Sequence, residues 1–426
     1  MYHLPGMAVS TNRPFIINGV LQHYDWGGFD YLPKLLGEPN PDRTPTAELW
    51  MGTHPKGPAT IPGTDETLAG AIEQCPVDML GEDVAYRFDR KLPFLFKVLD
   101  VREMLSIQVH PNKEGARAGF AREEANGPER SAPDRNYRDD NHKPELGVAL
   151  TDFYLLHGFR SLSFIHQMCE YIPGWGELVP VLKRGGVSGL YRHVMEADQT
   201  EVDRLLQPLV DGLGPTPKQG RAYPEFWAHR AVELYSKDGH HDRGLFSIFW
   251  FNIVHLRPGE GIFQDAGIPH AYLEGTCIEL MANSDNVLRG GLTPKHIDVP
   301  ELMKHIVFDE VTPRIIRPAL AEHDGEWVPY PTPAPDFALS VARAHRDDDL
   351  VVDTRRGPAI LFLHKGSVAS GEYDLTLDRR RRIAFVPAGL RFALTAHAAT
   401  TLYLAEVGQE QEDYLPLGMG HHVSDH

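Results

Sequence analysis

Short runs of β-branched and aromatic residues, cut by Gly and Pro, fill the chain up to about Val109. Residues 15–20, 59–61, 94–99 and 105–109 each read as a strand, with helices few and brief between them. From Ser161 to about Gly239 the apolar period becomes helical. There Val202, Leu205, Leu206, Leu209, Val210 and Leu213 share one face, Thr200 followed by Asp203 reads as the helix start, and Pro208 predicts a kink or a break. Strand texture returns from Leu245, through 252–256, 261–264 and 271–274. Pro329, Pro331, Pro333 and Pro335 read as an extended linker, and the alternating segments 359–363, 367–370, 373–377, 383–386 and 401–406 form an all-β pattern of barrel or jelly-roll type. The expected fold is mainly β, with two β regions and an α-helical insert.

Residues 112–143 are polar and charged, and Gly115, Gly119, Gly127, Pro128 and Pro133 predict that no long helix forms there. A mobile surface excursion is expected, with a lid over a site as the alternative. A chain of 426 residues with 42% hydrophobic and 24% charged residues has ordinary globular usage and room for two or three domains. Its 42 Lys and Arg against 59 Asp and Glu, a formal charge of −17, exclude nucleic acid as the expected partner. Three cysteines (Cys75, Cys169, Cys277) form no paired framework, so the cytoplasm is the expected compartment. Neither a signal peptide nor a membrane span is expected: residues 1–20 lack a basic stretch followed by an apolar core, and Ser247, Asn252 and His255 interrupt the most apolar run.

In the segment 104–110, strand alternation points Leu105, Ile107 and Val109 one way and Met104, Ser106, Gln108 and His110 the other. A Gln-x-His pair alone is more often a satisfied polar pair than a metal site. Glu145 in Asn141-His142-Lys143-Pro144-Glu145 and His270 in Gly267-Ile268-Pro269-His270-Ala271-Tyr272 are further donors. Together they would make a mixed nitrogen and oxygen site suited to zinc, with a net positive charge left to polarise a water or a sugar hydroxyl. Chain spacing alone leaves open whether they meet. The polar segment 279–295, with Asp285, Arg289, Lys295 and the pair Gly290-Gly291, could hold an oxyanion, or be an ordinary solvated turn.

These phrases, with Tyr24-Asp25-Trp26-Gly27, residues 47–55, residues 106–111 and His157-Gly158-Phe159-Arg160, resemble in content and order the signatures of the type I phosphomannose isomerase family. The resemblance runs almost continuously to about Leu302 and thins beyond. It implies a cupin superfamily fold: two jelly-roll domains with a helical insert, divided as 1–155 and 245–325 for the catalytic domain, 156–244 for the insert and 326–426 for the C-terminal β domain. It implies one zinc per chain held by Gln108, His110, Glu145 and His270, with Arg289, Lys143, His142 and Asp285 as catalytic residues. Ser106, Lys97 and Lys295 fall near the sugar phosphate. The implied reaction interconverts mannose 6-phosphate and fructose 6-phosphate through a cis-enediol, within carbohydrate metabolism and GDP-mannose biosynthesis. The implied partner is that small sugar phosphate, with no nucleic acid, no membrane, and a monomer expected over a dimer. Ile268 departs from the pattern, since many relatives carry Glu there. The competing readings are another cupin-type metalloenzyme such as an oxygenase, and a sugar-phosphate-binding protein without catalysis.

Overall fold

The computed structural model describes residues 10–320 and 324–409. The expected outermost parts of the first and last domains, 1–9 and 410–426, lie outside the described residues. Ten strands form one antiparallel sheet that turns back on itself along the long strand His270–Ala282. One half of that strand pairs with Phe94–Val101 and Glu145–Ala149, the other with Gln108–Val109 and Phe153–Phe159. Alternation then decides what each side chain meets. On Phe94–Val101, Phe94, Phe96 and Val98 enter one apolar core, while Leu99 and Val101 face the inside of the folded sheet. Ile278 and Leu280 repeat the first pattern and Cys277 the second.

Helices cover the outer face of the other half, where Ile107, Val109, Leu156 and Ala271 pack with Leu190, Leu205, Trp227 and Trp250. The helix Gln199–Leu213 runs unbroken through Pro208 and is capped by Asp198, whose side chain accepts from the Glu201 N–H at 2.9 Å. The predicted break does not occur: Pro208 leaves the Arg204 carbonyl without its helical donor, and Trp175 Nε1 donates to the next carbonyl, Leu205 O, at 3.0 Å. Residues 245–250, expected as strand, form the buried helix Gly244–Trp250 before the strand Phe251–Leu256.

The polar excursion also departs from expectation, since Lys113–Asn126 is a helix capped by Asn112. Its glycine at 119 is a close approach rather than a breaker, because a Cβ there would lie 2.2 Å from Tyr137 Cζ. Arg135 is buried and donates to the carbonyls of Glu123, Pro128 and Tyr137, and Tyr137 Oη donates to Glu301 Oε1 at 2.6 Å. The excursion is therefore pinned to the helix Val299–His305.

The C-terminal region stacks a six-stranded sheet on a four-stranded one. Phe15–Ile16 belongs to the six-stranded sheet, pairing with Phe385 and Ala384, and the expected linker begins with the strand Val328–Tyr330. Ile360 and Phe362 face the N-terminal sheet, whereas Ala359, Leu361 and Leu363 face the four-stranded sheet. Among the described residues no helix is long and apolar enough to cross a membrane.

Candidate active site

His110, Glu145 and His270 converge inside the folded sheet, each buried, with ligand atoms all within 4.8 Å of one another. Glu145 Oε1 lies 3.3 Å from His110 Nε2, and Glu145 Oε2 lies 3.2 Å from His270 Nε2. A tetrahedron built on zinc bonds of about 2.0–2.1 Å has edges of about 3.3–3.4 Å, so these separations suit that ion. The imidazoles are already oriented for it. His110 Nδ1 is 2.8 Å from Asn286 O and His270 Nδ1 is 2.9 Å from Ile268 O, and since a carbonyl only accepts, each Nδ1 carries a proton, which leaves Nε2 as the nitrogen available to a metal. His110 Nε2 is buried without a hydrogen-bond partner among the described residues. Burial and then the Lys143 ammonium push the His110 ring down to about 4, which keeps it neutral and able to ligate. Ile268 contributes through its carbonyl, which any residue provides.

Strand register brings Gln108 opposite both His270 and Arg289. Gln108 also lines a cavity of about 70 Å³ with Lys143, Glu145, His270, Tyr272 and Leu105, room for an ion and a few oxygens. The expected alternation of 104–110 holds only from Ile107 onward. Pairing as a strand starts at Gln108, and before it the chain bends, sending Met104 into the helical core and Leu105 to the cavity.

Lys97 sits on the cavity wall, but its ammonium is 2.9 Å from Glu279 Oε2 and 3.5 Å from Glu48 Oε2. Burial would lower this lysine, yet Glu279 and Glu48 hold it well above its ordinary value. Burial also pushes Glu279 up against the pull of Lys97, as expected when one ammonium is shared by two buried carboxylates. Lys143 Nζ stands 2.9 Å from Glu145 Oε1. Burial would raise Glu145, but Lys143 and His110 hold it well below the usual carboxylate range.

The remaining expected residues separate. His142 Nε2 is turned to Asp336 Oδ2 at 2.7 Å. Asp285 meets His54 Nε2 at 3.2 Å and Lys56 Nζ at 2.8 Å, and although burial opposes it, these two partners hold its carboxyl far below the usual range. Asp285 lines a second, larger hollow of about 720 Å³ with His54, Lys56, Arg138 and Ser284. Burial and then repulsion from Arg138 lower the Arg289 guanidinium. Lys295 is lowered by burial and by Arg289, Arg138 and Lys56, so these four cations share one electrostatic neighbourhood. Ser106 is half-buried next to Ile107, whose N–H donates to Gly291 O at 3.0 Å. Gly291 takes φ +126, and a Cβ there would meet Gly244 at 2.5 Å, so the turn after Arg289 presses directly on the helical layer.

Sequence reasoning missed Glu48, Glu279, Arg138 and Asn286 as parts of the site. Glu48 lies inside a phrase that carried the family resemblance and Glu279 just before one, and each occupies the inward register of its strand, which was the available signal.

A family model, phosphomannose isomerase type I, catalytic domain, matches residues 15–162. Mannose-6-phosphate isomerase of Salmonella typhimurium is 42% identical over 375 residues, covering 86% of this chain and 91% of that protein. The Homo sapiens mannose-6-phosphate isomerase is 34% identical over 359 residues, covering 78% and 82%. A zinc-bound crystal structure of a mannose 6-phosphate isomerase superposes with a TM-score of 0.82 at 36% identity, covering 94% of this chain and 100% of the other. The chain belongs to the type I phosphomannose isomerase family.

Proposed function

We propose that this protein is a zinc-dependent aldose–ketose isomerase that interconverts mannose 6-phosphate and fructose 6-phosphate. The observation that carries the reading is the meeting of two imidazole Nε2 atoms and one carboxylate in the buried sheet interior, at separations that suit zinc. Gln108, His110, Glu145 and His270 would hold the ion. Bound there, zinc supplies Lewis acidity toward the sugar oxygens on C1 and C2.

The rest falls to the chain. Of the three residues that could do acid and base work, Lys143 alone lines the metal cavity, whereas His142 faces Asp336 and Asp285 is held by His54 and Lys56. We assign Lys143 to moving the proton. Its ammonium gives a proton to the C1 carbonyl oxygen and the resulting amine takes the proton on C2, whose electron pair forms the C1–C2 double bond of the cis-enediol; that proton is then delivered to C1 while the C2 hydroxyl gives its own proton back to Lys143 and becomes the ketone. Arg289, opposite Gln108 in register, stabilises negative charge on the enediol oxygens. Lys295, with Ser106, is assigned to the phosphate, whose remote binding holds the sugar in reactive geometry. Lys97 is a poor phosphate contact, because two carboxylates already occupy its ammonium. We also assign both β regions to jelly rolls of the cupin type, one from 1–155 with 251–325 and the other from 326–426 joined by the strand Phe15–Ile16, with the 156–244 insert extended to Trp250 on packing grounds.

The test is a coupled assay of mannose 6-phosphate conversion on the purified protein, after chelation and after zinc is restored. Loss and return of activity is expected. Full activity in metal-free protein, or His110→Ala retaining both zinc and turnover, would overturn the reading.

A further inference from the structure

We infer that Asn286 is a positioning residue that locks the metal-binding orientation of His110 to the two chain segments carrying the rest of the chemistry. The inference rests on the reading of His110 as a zinc ligand. Asn286 is completely buried, and every hydrogen-bonding site of its amide is used. Oδ1 accepts from the N–H groups of Arg138 at 2.8 Å and Asp139 at 3.3 Å. Nδ2 donates to Asp139 O at 2.7 Å, Asn141 O at 2.9 Å and Asp139 Oδ1 at 3.2 Å. The opposite amide orientation would face two N–H groups with an NH₂ and three oxygens with an oxygen, so the network assigns the amide unambiguously. Its backbone carbonyl is the acceptor for His110 Nδ1 at 2.8 Å.

One residue thereby joins three pieces of chain. The arm 138–141 leads within four residues to Lys143 and Glu145, the loop containing Asn286 leads within three to Arg289, and the carbonyl sets the His110 tautomer. Ser284 closes the knot, its Oγ accepting from Asn286 N at 3.1 Å and donating to Asp139 Oδ1 at 2.8 Å. A displaced carbonyl at 286 would free His110 to take the other tautomer, which turns a protonated nitrogen toward the metal position. Partners of this kind outside the ligand set typically change metal affinity or activity by about 10–100-fold.

The experiment compares wild type with Asn286→Ala and with Asn286→Asp, which keeps the volume but replaces the three donated bonds by repulsion. Arg135→Met serves as the control, loosening the same arm without touching Asn286. Zinc affinity is read by chelator competition, ligand geometry by the visible absorption of the cobalt-substituted protein, and kcat and KM at saturating zinc. About 10–100-fold weaker zinc binding, altered cobalt bands and a lower kcat with a smaller change in KM are expected in both Asn286 variants. Arg135→Met is expected to lower thermal stability and leave zinc affinity within about twofold. Asn286 variants with zinc affinity and cobalt bands like wild type would overturn the inference, as would Arg135→Met weakening zinc equally, because general loosening would then suffice. If His110→Ala binds zinc as tightly as wild type, the ligand reading fails instead, and that outcome is separable from the Asn286 result.

Discussion

On the strand Phe94–Val101 the positions facing the interior of the folded sheet are Leu95, Lys97, Leu99 and Val101, whereas on Ala359–Lys365 the positions facing the second sheet are Ala359, Leu361 and Leu363. The backbone rule is one and the same, and the inward chemistry differs at Lys97. The C-terminal sandwich closes around apolar side chains, all aliphatic but Phe392, and stabilises itself by their burial. The N-terminal interior instead buries Glu48, Glu145 and Glu279 against Lys97 and Lys143, with two imidazoles beside them. Buried ion pairs rarely repay their desolvation, so such an interior is maintained for what it binds. Three carboxylates against two ammonium groups leave one negative charge, and a divalent cation turns the interior net positive, ready for an anionic sugar intermediate.

The largest expected separation between the two regions is catalytic. Arg289→Ala should keep zinc near wild-type content, because Arg289 is outside the ligand set, while kcat falls by about 10²–10³-fold through loss of a charge stabiliser. Steady-state kinetics with parallel metal analysis checks this, and near-normal turnover would remove Arg289 from the chemistry. No single substitution inside the C-terminal sandwich should produce that pattern.

Next in size is a matched pair of interior substitutions. Lys97→Met leaves Glu48 and Glu279 facing each other without a cation and should cost about 3–5 kcal/mol, with turnover lost as well. Leu361→Ala opens a cavity in the sandwich and should cost about 2–5 kcal/mol, with kcat per folded molecule unchanged. Denaturant unfolding alongside kinetics separates the two. The comparison sharpens if Lys97→Met is combined with Glu48→Gln and Glu279→Gln: stability should recover much of the loss and activity should not. If activity returned with stability, the polar interior would be a folding element rather than a functional one.

How far the sequence carries depends on the range of each interaction. Gln108, His110, Glu145 and His270 were legible as donor types within short phrases, but it was the family resemblance that set them together, since chain spacing left open whether they meet. The pairing of Lys97 was not, because Glu279 lies 182 residues away and only the sheet register joins them. Gly115 and Gly119 read as helix breakers, yet they are the surface on which Tyr137 and His305 seat, a tertiary reason that local propensity does not contain. Residues 245–250 failed differently: a short continuous apolar run has the same pattern in a buried strand and a buried helix.

The smallest effect tests the sandwich on its own terms. At the end of the strand Thr400–Glu406, burial and then Asp353 push the Glu406 carboxyl up to about 7, with no ammonium shared as Lys97 is shared in the other interior. The folded state therefore holds this proton more tightly than the unfolded chain, whose glutamate titrates near ~4.3. Its contribution to stability is complete below that unfolded value and is lost as pH rises through about 7. Glu406→Gln keeps the size and removes the charge, so it should raise Tm by about 2–5 °C at pH ~8.5 and by less at pH ~5.5, with zinc content and turnover untouched. A gain of equal size at both pH values would mean that packing, and not the charge, limits this edge of the sandwich. A shift in turnover would mean that the apolar region is not energetically separate from the polar one.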